Sequence, residues 1–169
     1  MNNQKPLSII VAVAKNYAIG YQNKLLWHIP EDFRWFKSIT QGHTVIMGKN
    51  TYYSLPKRPL PNRRNIVISD IRGEFIEGAE MAYSIDEAIA MADKDKENFI
   101  IGGASIYRQF FDIVQKLYIT HVDKEFVADT FFPVITADKW QVEKEAQQQE
   151  EHPQGLKYHF VIYKKSNSF

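Results

Sequence analysis

The stretch WHIPEDFRWFK, residues 27–37, sets two carboxylates, Glu31 and Asp32, directly after a proline and among aromatics. Pro30 suits the first position of a helix, because the N–H it lacks would have no intrahelical partner there. Glu31 and Asp32 then fall in the first turn, where the positive end of the helix favours anions. Spacing separates the two. Asp32 shares a face with Trp35, Phe36 and Ile39, whereas Glu31 shares one with Arg34, Trp35 and Ser38. A carboxylate heading an apolar stripe is expensive to bury unless it meets a polar group of the protein or of a ligand. An ordinary first-turn anion and a ligand-holding acid both fit Asp32; Glu31 has a cationic neighbour on a mixed face.

Two further stretches have phosphate chemistry. FIIGGASIYRQF, residues 99–110, reads as a buried strand, two glycines and a helix. Paired glycines admit a close backbone approach, and a helix start offers N–H groups to an anion. A plain tight turn fits as well, and the G-x-G-x-x-G pattern is absent. HTVIMGKNTYYSL, residues 43–55, repeats the strand, glycine and helix order, with Lys49 at the entry and Thr51 in the first turn. A phosphate loop of the G-x-x-x-x-G-K type would need glycine where His43 stands and Ser or Thr where Asn50 stands, so nucleotide triphosphate hydrolysis is disfavoured. Two such junctions suit a dinucleotide better than one does.

LPKRPLPNRRNIVIS, residues 55–69, is stiffened by three prolines and carries Arg58, Arg63 and Arg64. A solvated loop and a carboxylate clamp both fit, since a held arginine can grip a carboxylate with two parallel bonds. His28, His43, His121, His152 and His159 show no metal-ligand spacing, so no metal is expected.

Helices and strands must position these groups. Strands are expected over 7–14, 43–48, 65–69, 79–83, 98–102, 116–122, 140–146 and 156–164, and helices over 30–40, 49–55, 84–92 and 104–113. Ser84 or Asp86 can cap the third helix. Short apolar strands alternating with helices predict an α/β fold with a mostly parallel sheet, and the last two strands, joined by the polar tip QQQEEHPQG, predict an antiparallel edge hairpin. The 169 residues, 44% hydrophobic and 24% charged, suggest one domain with a sizeable core. LSIIVAVA reads as a first strand, not a signal peptide, and no run is long enough for a membrane span. Without cysteine there is no disulfide or thiol nucleophile, and a net charge of +1 argues against nucleic acid or a membrane surface as partner. A small molecule is the expected ligand.

In order and spacing, AIGYQNKLLWHIPEDFRWFK, VIMGKNTYYSL, RPLPNRRNIVIS, IIGGASIYRQF and LYITHVDKEFVADTFFP resemble bacterial dihydrofolate reductase over nearly the whole chain. The resemblance implies one domain over residues 1–169, an eight-stranded, mostly parallel sheet flanked by helices, and a cytoplasmic monomer. It implies NADPH as cofactor, 7,8-dihydrofolate as substrate and antifolates as further ligands. Asp32 would hold the pterin with Thr120, Glu31 would be its exposed neighbour, Trp27 would position a water, and Leu25 would lie on the loop over the nicotinamide. Ile10, Ala12, Phe36, Leu55, Arg63, Ile101 and Tyr107 complete the implied substrate site, with Arg63 on the glutamate carboxylate. On the cofactor side the resemblance implies Ala12, Ile19, Gly20 and Asn23 near the nicotinamide. It implies Gly48, Lys49, Asn50, Thr51, Ile68, Ser69, Asp70, Ile101, Gly102, Gly103, Ala104, Ser105, Ile106 and Gln109 along the rest, with a cis peptide joining the paired glycines.

Some positions depart from the family pattern. Leu25 stands where methionine is common and Leu26 where proline is common, the SLPKRPLP stretch is one residue longer than usual, and Asp70 stands where a neutral or basic residue often reads the 2′-phosphate. A same-fold reductase of another pterin or of a riboflavin-pathway ribosylamino-pyrimidine is the alternative enzyme, and a non-catalytic nucleotide- or RNA-binding module the alternative class. Asp32 with Arg63 favours a pterin carrying an acidic tail.

Overall fold

The apolar run Leu7–Ala14 forms the first strand, β1, of a computed structural model that describes residues 4–166; residues 1–3 and 167–169 of the expected domain lie outside the described residues. The chain continues through β2 (Ala18–Gly20), α1 (Pro30–Thr40), β3 (Thr44–Gly48), α2 (Lys49–Ser54), β4 (Arg64–Ile68) and β5 (Glu80–Ala82). It then forms α3 (Ile85–Met91), β6 (Asn98–Ile100), α4 (Ala104–Phe110), β7 (Lys116–Val122), β8 (Thr130–Phe131), β9 (Trp140–Gln147) and β10 (Tyr158–Lys165). Eight strands make one sheet in the order β5-β4-β3-β6-β1-β7-β10-β9, and β2 pairs with β8 in a separate ribbon. Strands β5, β4, β3, β6 and β1 run parallel where their registers are defined, while β10 is antiparallel to both β7 and β9, the edge hairpin expected from the sequence.

The chain divides into two compact units, one built from residues up to Ile9 with Ile39–Val114, the other from Ile10–Ser38 with the chain from Gln115 onward. In the first unit Val45, Ile46, Met47, Ile66, Val67, Phe99 and Ile100 are all buried. Unbroken apolar runs of this kind are what a parallel strand covered on both faces requires. Ser84 caps α3 by accepting the Glu87 N–H, and Glu87 accepts the N–H of Tyr83, one residue before the cap, at 2.9 Å. Helix α2 ends at Ser54, one residue short of the expected end, because Leu55 precedes a proline and takes an extended conformation. Helix α4 is shorter than the expected 104–113: after Phe110 the chain turns, with the Ile113 and Val114 N–H groups both bonded to the Phe110 carbonyl. The fully buried Asn98 side chain donates to the carbonyls of Pro6, Asp93 and Lys96 and accepts the Asp93 N–H, closing the turn before β6.

In the second unit, Ile29, Val122, Leu156, Tyr158 and Phe160 form a buried cluster against which Trp27, Trp35 and Phe126 pack. Thr120 on β7 stands opposite Phe160 on β10. Strand β9 buries only Trp140, as befits a polar edge. The β2 and β8 ribbon, of three and two residues, was not expected from the sequence. Among the described residues no helix is long and apolar enough to cross a membrane, and no group of three or more His, Asp or Glu is placed so that it could hold a metal ion.

Candidate active site

Helix α1 begins at Pro30, and the Asp32 N–H closes onto the Ile29 carbonyl at 3.0 Å, so the first turn fixes the backbone that carries Asp32. Its Oδ1 accepts the hydroxyl of the fully buried Thr120 at 2.6 Å. On the same helix Trp35 packs against Phe160 with ring centroids 4.7 Å apart and against Tyr118 at 6.3 Å. Burial in these surroundings pushes the Asp32 carboxyl up to about 6, against the Thr120 hydrogen bond that lowers it and with a smaller upward push from the Glu31 charge. Desolvation wins. Asp32 is thus an acid that exchanges its proton close to neutrality.

Glu31 is not the exposed neighbour expected from the sequence. It is half-buried and accepts the Gln149 and Glu150 N–H groups and the Tyr158 hydroxyl, the last at 2.7 Å. Arg34, one turn on, pairs with Glu150 and not with Glu31. The polar tip therefore docks on the start of α1, and His152 adds a bond to the His28 carbonyl at 2.8 Å. Helical spacing alone could not reveal these partners, which lie more than a hundred residues away.

The segment before α1 is tied down by the unexpected ribbon. Ala18 and Gly20 pair with Phe131 and Thr130, and the Gln22 N–H donates to Asp129 Oδ2 at 2.9 Å. Tyr17, Gln22 and Asn23 all have positive φ, so this loop has a definite and unusual backbone path. Ile19 and Gly20 are half-buried here, while Asn23 and Leu25 are exposed, Leu25 by 71%. Trp27 packs against Phe126 at 5.2 Å. Ile10 is buried, and Ala12 and Phe36 are half-buried, in the same unit.

The other unit holds a cavity of about 520 Å³. Its walls are Gly48 to Thr51, Ile68 to Asp70, Gly103 to Ile106, and Gln109, all expected from the sequence, together with Tyr83, Ser84 and Ile85, which were not. Helices α2 and α4 both start here from a glycine without a side-chain cap. The Gly48 N–H donates to the Gly102 carbonyl at 2.8 Å, and Gly102 is joined to Gly103 by a cis peptide, as expected. A Cβ on Gly48 would stand 3.2 Å from Ile106, and one on Gly102, at φ +124°, would meet the Tyr107 hydroxyl at 3.3 Å and Thr51 Oγ1 at 3.4 Å. Only glycine leaves this backbone approachable. Tyr107 is buried beside Gly102, and Ile101 and Leu55 are half-buried.

The three arginines of the proline-rich connection divide. Arg58 donates to the Tyr53 carbonyl at 2.6 Å, and Arg64 grips Glu80 with bonds of 2.6 and 2.8 Å. Arg63 is half-buried, donating to the Pro61 carbonyl at 2.9 Å and to Thr40 Oγ1 at 3.1 Å. Among the described residues no ion pair involves it. A guanidinium held in place by neutral acceptors suits an anionic ligand.

The sequence model of the dihydrofolate reductase family matches residues 6–165. This chain belongs to that family. It is 45% identical to the dihydrofolate reductase of Neisseria meningitidis serogroup B, over 93% of this chain and 96% of that one. With the dihydrofolate reductase of Bacillus subtilis it shares 36% identity over 96% of each. A solved dihydrofolate reductase from Enterococcus faecalis, complexed with NADP(H) and RAB-propyl, superposes with a TM-score of 0.86 at 29% identity, covering 99% of this chain and all of that one. The residues of this family member fit a dinucleotide phosphate. The glycine-lined cavity admits a pyrophosphate against backbone, and Lys49 and Ser69 stand on the same cavity with a cation and a hydroxyl. Glu74 went unnoticed in the sequence although it touches both: Lys49 pairs with it at 3.2 Å, and the Ser69 hydroxyl donates to it.

Proposed function

We infer that this chain catalyses the NADPH-dependent reduction of 7,8-dihydrofolate to 5,6,7,8-tetrahydrofolate. The observation that carries the reading is the Asp32 carboxyl, bonded to Thr120 and raised to about 6, in a chain of this family.

Asp32 holds the pterin at N3 and the 2-amino group and favours its protonated form, with Thr120 fixing the carboxyl's orientation. Trp27 positions the water through which a proton reaches N5. Bound NADPH supplies the hydride, from nicotinamide C4 to pterin C6. On this reading Ile10, Ala12, Phe36, Leu55, Ile101 and Tyr107 are assigned to apolar contacts with the substrate. Arg63 takes the glutamate α-carboxylate, which its lack of an ion pair among the described residues supports. Gly48 to Thr51 and Gly102 to Ile106 hold the pyrophosphate and adenosine side, Ile68 to Asp70 with Lys49 meet the 2′-phosphate, and Ile19, Gly20, Asn23 and Leu25 lie toward the nicotinamide. Catalysis in the cytoplasm by a monomer is the setting this reading implies.

Cofactor oxidation measured with dihydrofolate, with dihydropterin lacking the tail, and with no acceptor tests the assignment. Turnover only with dihydrofolate is expected. Equal turnover of the tail-less pterin, or none with dihydrofolate, would overturn it.

A further inference from the structure

Ser69 and Lys49 already share an anion within the protein. The Ser69 hydroxyl donates to Glu74 Oε1, and Lys49 Nζ reaches both oxygens of Glu74 at 3.2 and 3.3 Å. This carboxylate is not a wandering surface group. The Glu74 N–H closes a turn onto the Ile71 carbonyl at 3.1 Å, its own carbonyl accepts the Tyr83 hydroxyl at 2.7 Å, and the Ile71 N–H bonds back to Ser69 Oγ at 3.1 Å. Tyr83 lines the same cavity, so the turn that carries Glu74 is anchored to the cavity wall. Ser69 is 2% exposed, which leaves its hydroxyl few directions in which to find a second partner. The Ser69 bond, with Lys49 adding to it, holds the Glu74 carboxyl below the usual carboxylate range, so it is an anion at neutral pH.

We propose that Glu74 is a specificity-determining residue of the cofactor site, an internal anion that competes with the 2′-phosphate for Lys49 and Ser69. The proposal rests on the reading that these two residues meet that phosphate. A phosphate reaches the Lys49 ammonium and the Ser69 hydroxyl only by displacing the carboxylate or by standing beside it as a like charge. A 2′-hydroxyl meets no such repulsion and can donate to the carboxylate, the way an acidic residue recognises an unphosphorylated ribose. Glu74 therefore weakens NADPH and favours NADH, narrowing the preference set by Lys49. Asp70 is the anion that sequence inspection singles out, but it is exposed, and water and salt screen it. The stronger influence belongs to the residue that touches the phosphate-reading groups.

Calorimetric titration of NADPH and NADH, alongside 2′,5′-ADP and 5′-AMP as fragments, tests this on the wild type, Glu74→Gln, Glu74→Ala, Asp70→Ser and Lys49→Ala. Both Glu74 variants should raise the NADPH-to-NADH affinity ratio about fivefold or more, with the fragments following; Asp70→Ser should raise it less; Lys49→Ala should lower it. A ratio unchanged in both Glu74 variants but lowered in Lys49→Ala overturns the proposal and leaves the phosphate reading standing. A ratio that falls in the Glu74 variants overturns it too, because Glu74 would then only be holding Lys49 and Ser69 in place. If Lys49→Ala leaves the ratio unaltered, both fail.

Discussion

The Tyr158 hydroxyl donates to Glu31 at 2.7 Å, one residue before the carboxyl that defines the candidate site. Burial, then the Glu31 partner, pushes the phenol well above its ordinary value, so the bond persists across the working pH range. Tyr158→Phe should lower stability by about 1.5–3 kcal/mol, the usual worth of a hydrogen bond to a charged group, as read from urea denaturation. Glu31→Gln should keep most of the activity. It removes a like charge beside Asp32 and so moves the alkaline limb of the hydride-transfer rate to lower pH. Abolished activity in Glu31→Gln would overturn the assignment of the proposed acid to Asp32.

Asp32 makes the enzyme less stable where it works. Its carboxyl titrates near 6 in the folded chain and near 3.8 unfolded, so between these values the folded state binds more protons. Stability therefore falls as pH rises from about 4 to about 6, by roughly 3 kcal/mol in all. Asp32→Asn should be the more stable protein at pH 7, with thermal midpoints converging toward the wild type below pH 4. The same variant should lose about 100-fold or more in hydride transfer at neutral pH, with partial recovery at lower pH. Equal stability of both proteins at pH 7 would show that Asp32 is better solvated than its surroundings indicate.

Arg63→Ala should weaken dihydrofolate by about 2–5 kcal/mol while weakening dihydropteroate, which lacks the glutamate, much less. Because Arg63 also bonds Thr40 and the Pro61 carbonyl, some loss common to both ligands is expected from the backbone it supports. Binding titrations of the two ligands separate these parts. Losses of equal size would make Arg63 a structural residue.

The Gln22 N–H holds Asp129 below the usual carboxylate range, with Thr130 adding to the effect. That tie is present at neutral pH and fades as pH falls through the depressed value. Asp129→Ala should slow single-turnover hydride transfer several-fold with little change in thermal midpoint, since both residues are on the surface. An unchanged single-turnover rate would show that the loop before α1 keeps its path without this carboxylate.

Local patterns carried much of this molecule into view. Pro30 set the start of α1, the apolar runs around Ile46, Val67 and Ile100 marked buried parallel strands, and glycine with lysine at residues 48 and 49 marked one wall of the cavity. The ribbon of β2 and β8 escaped because two and three residues hold no periodicity, and their pairing joins segments more than a hundred residues apart. Nothing local distinguishes Arg63 from Arg64 either; Glu80, across the neighbouring strand, does so by claiming one of them. Glu74 sits in an ordinary polar turn, and only the return of that turn toward Ser69 and Lys49 gives it meaning.

The division of the chain at Val114 and Gln115 also orders its synthesis. Every residue lining the glycine-rich cavity has left the ribosome's catalytic centre before Gln115 is added. Thr120, the partner of Asp32, lies beyond that point, and its strand pairs with β10, which is made later still. A nascent chain thus possesses all the side chains of its glycine-rich cavity well before it possesses the partner of Asp32. Chains stopped before β7 would carry the first without the second.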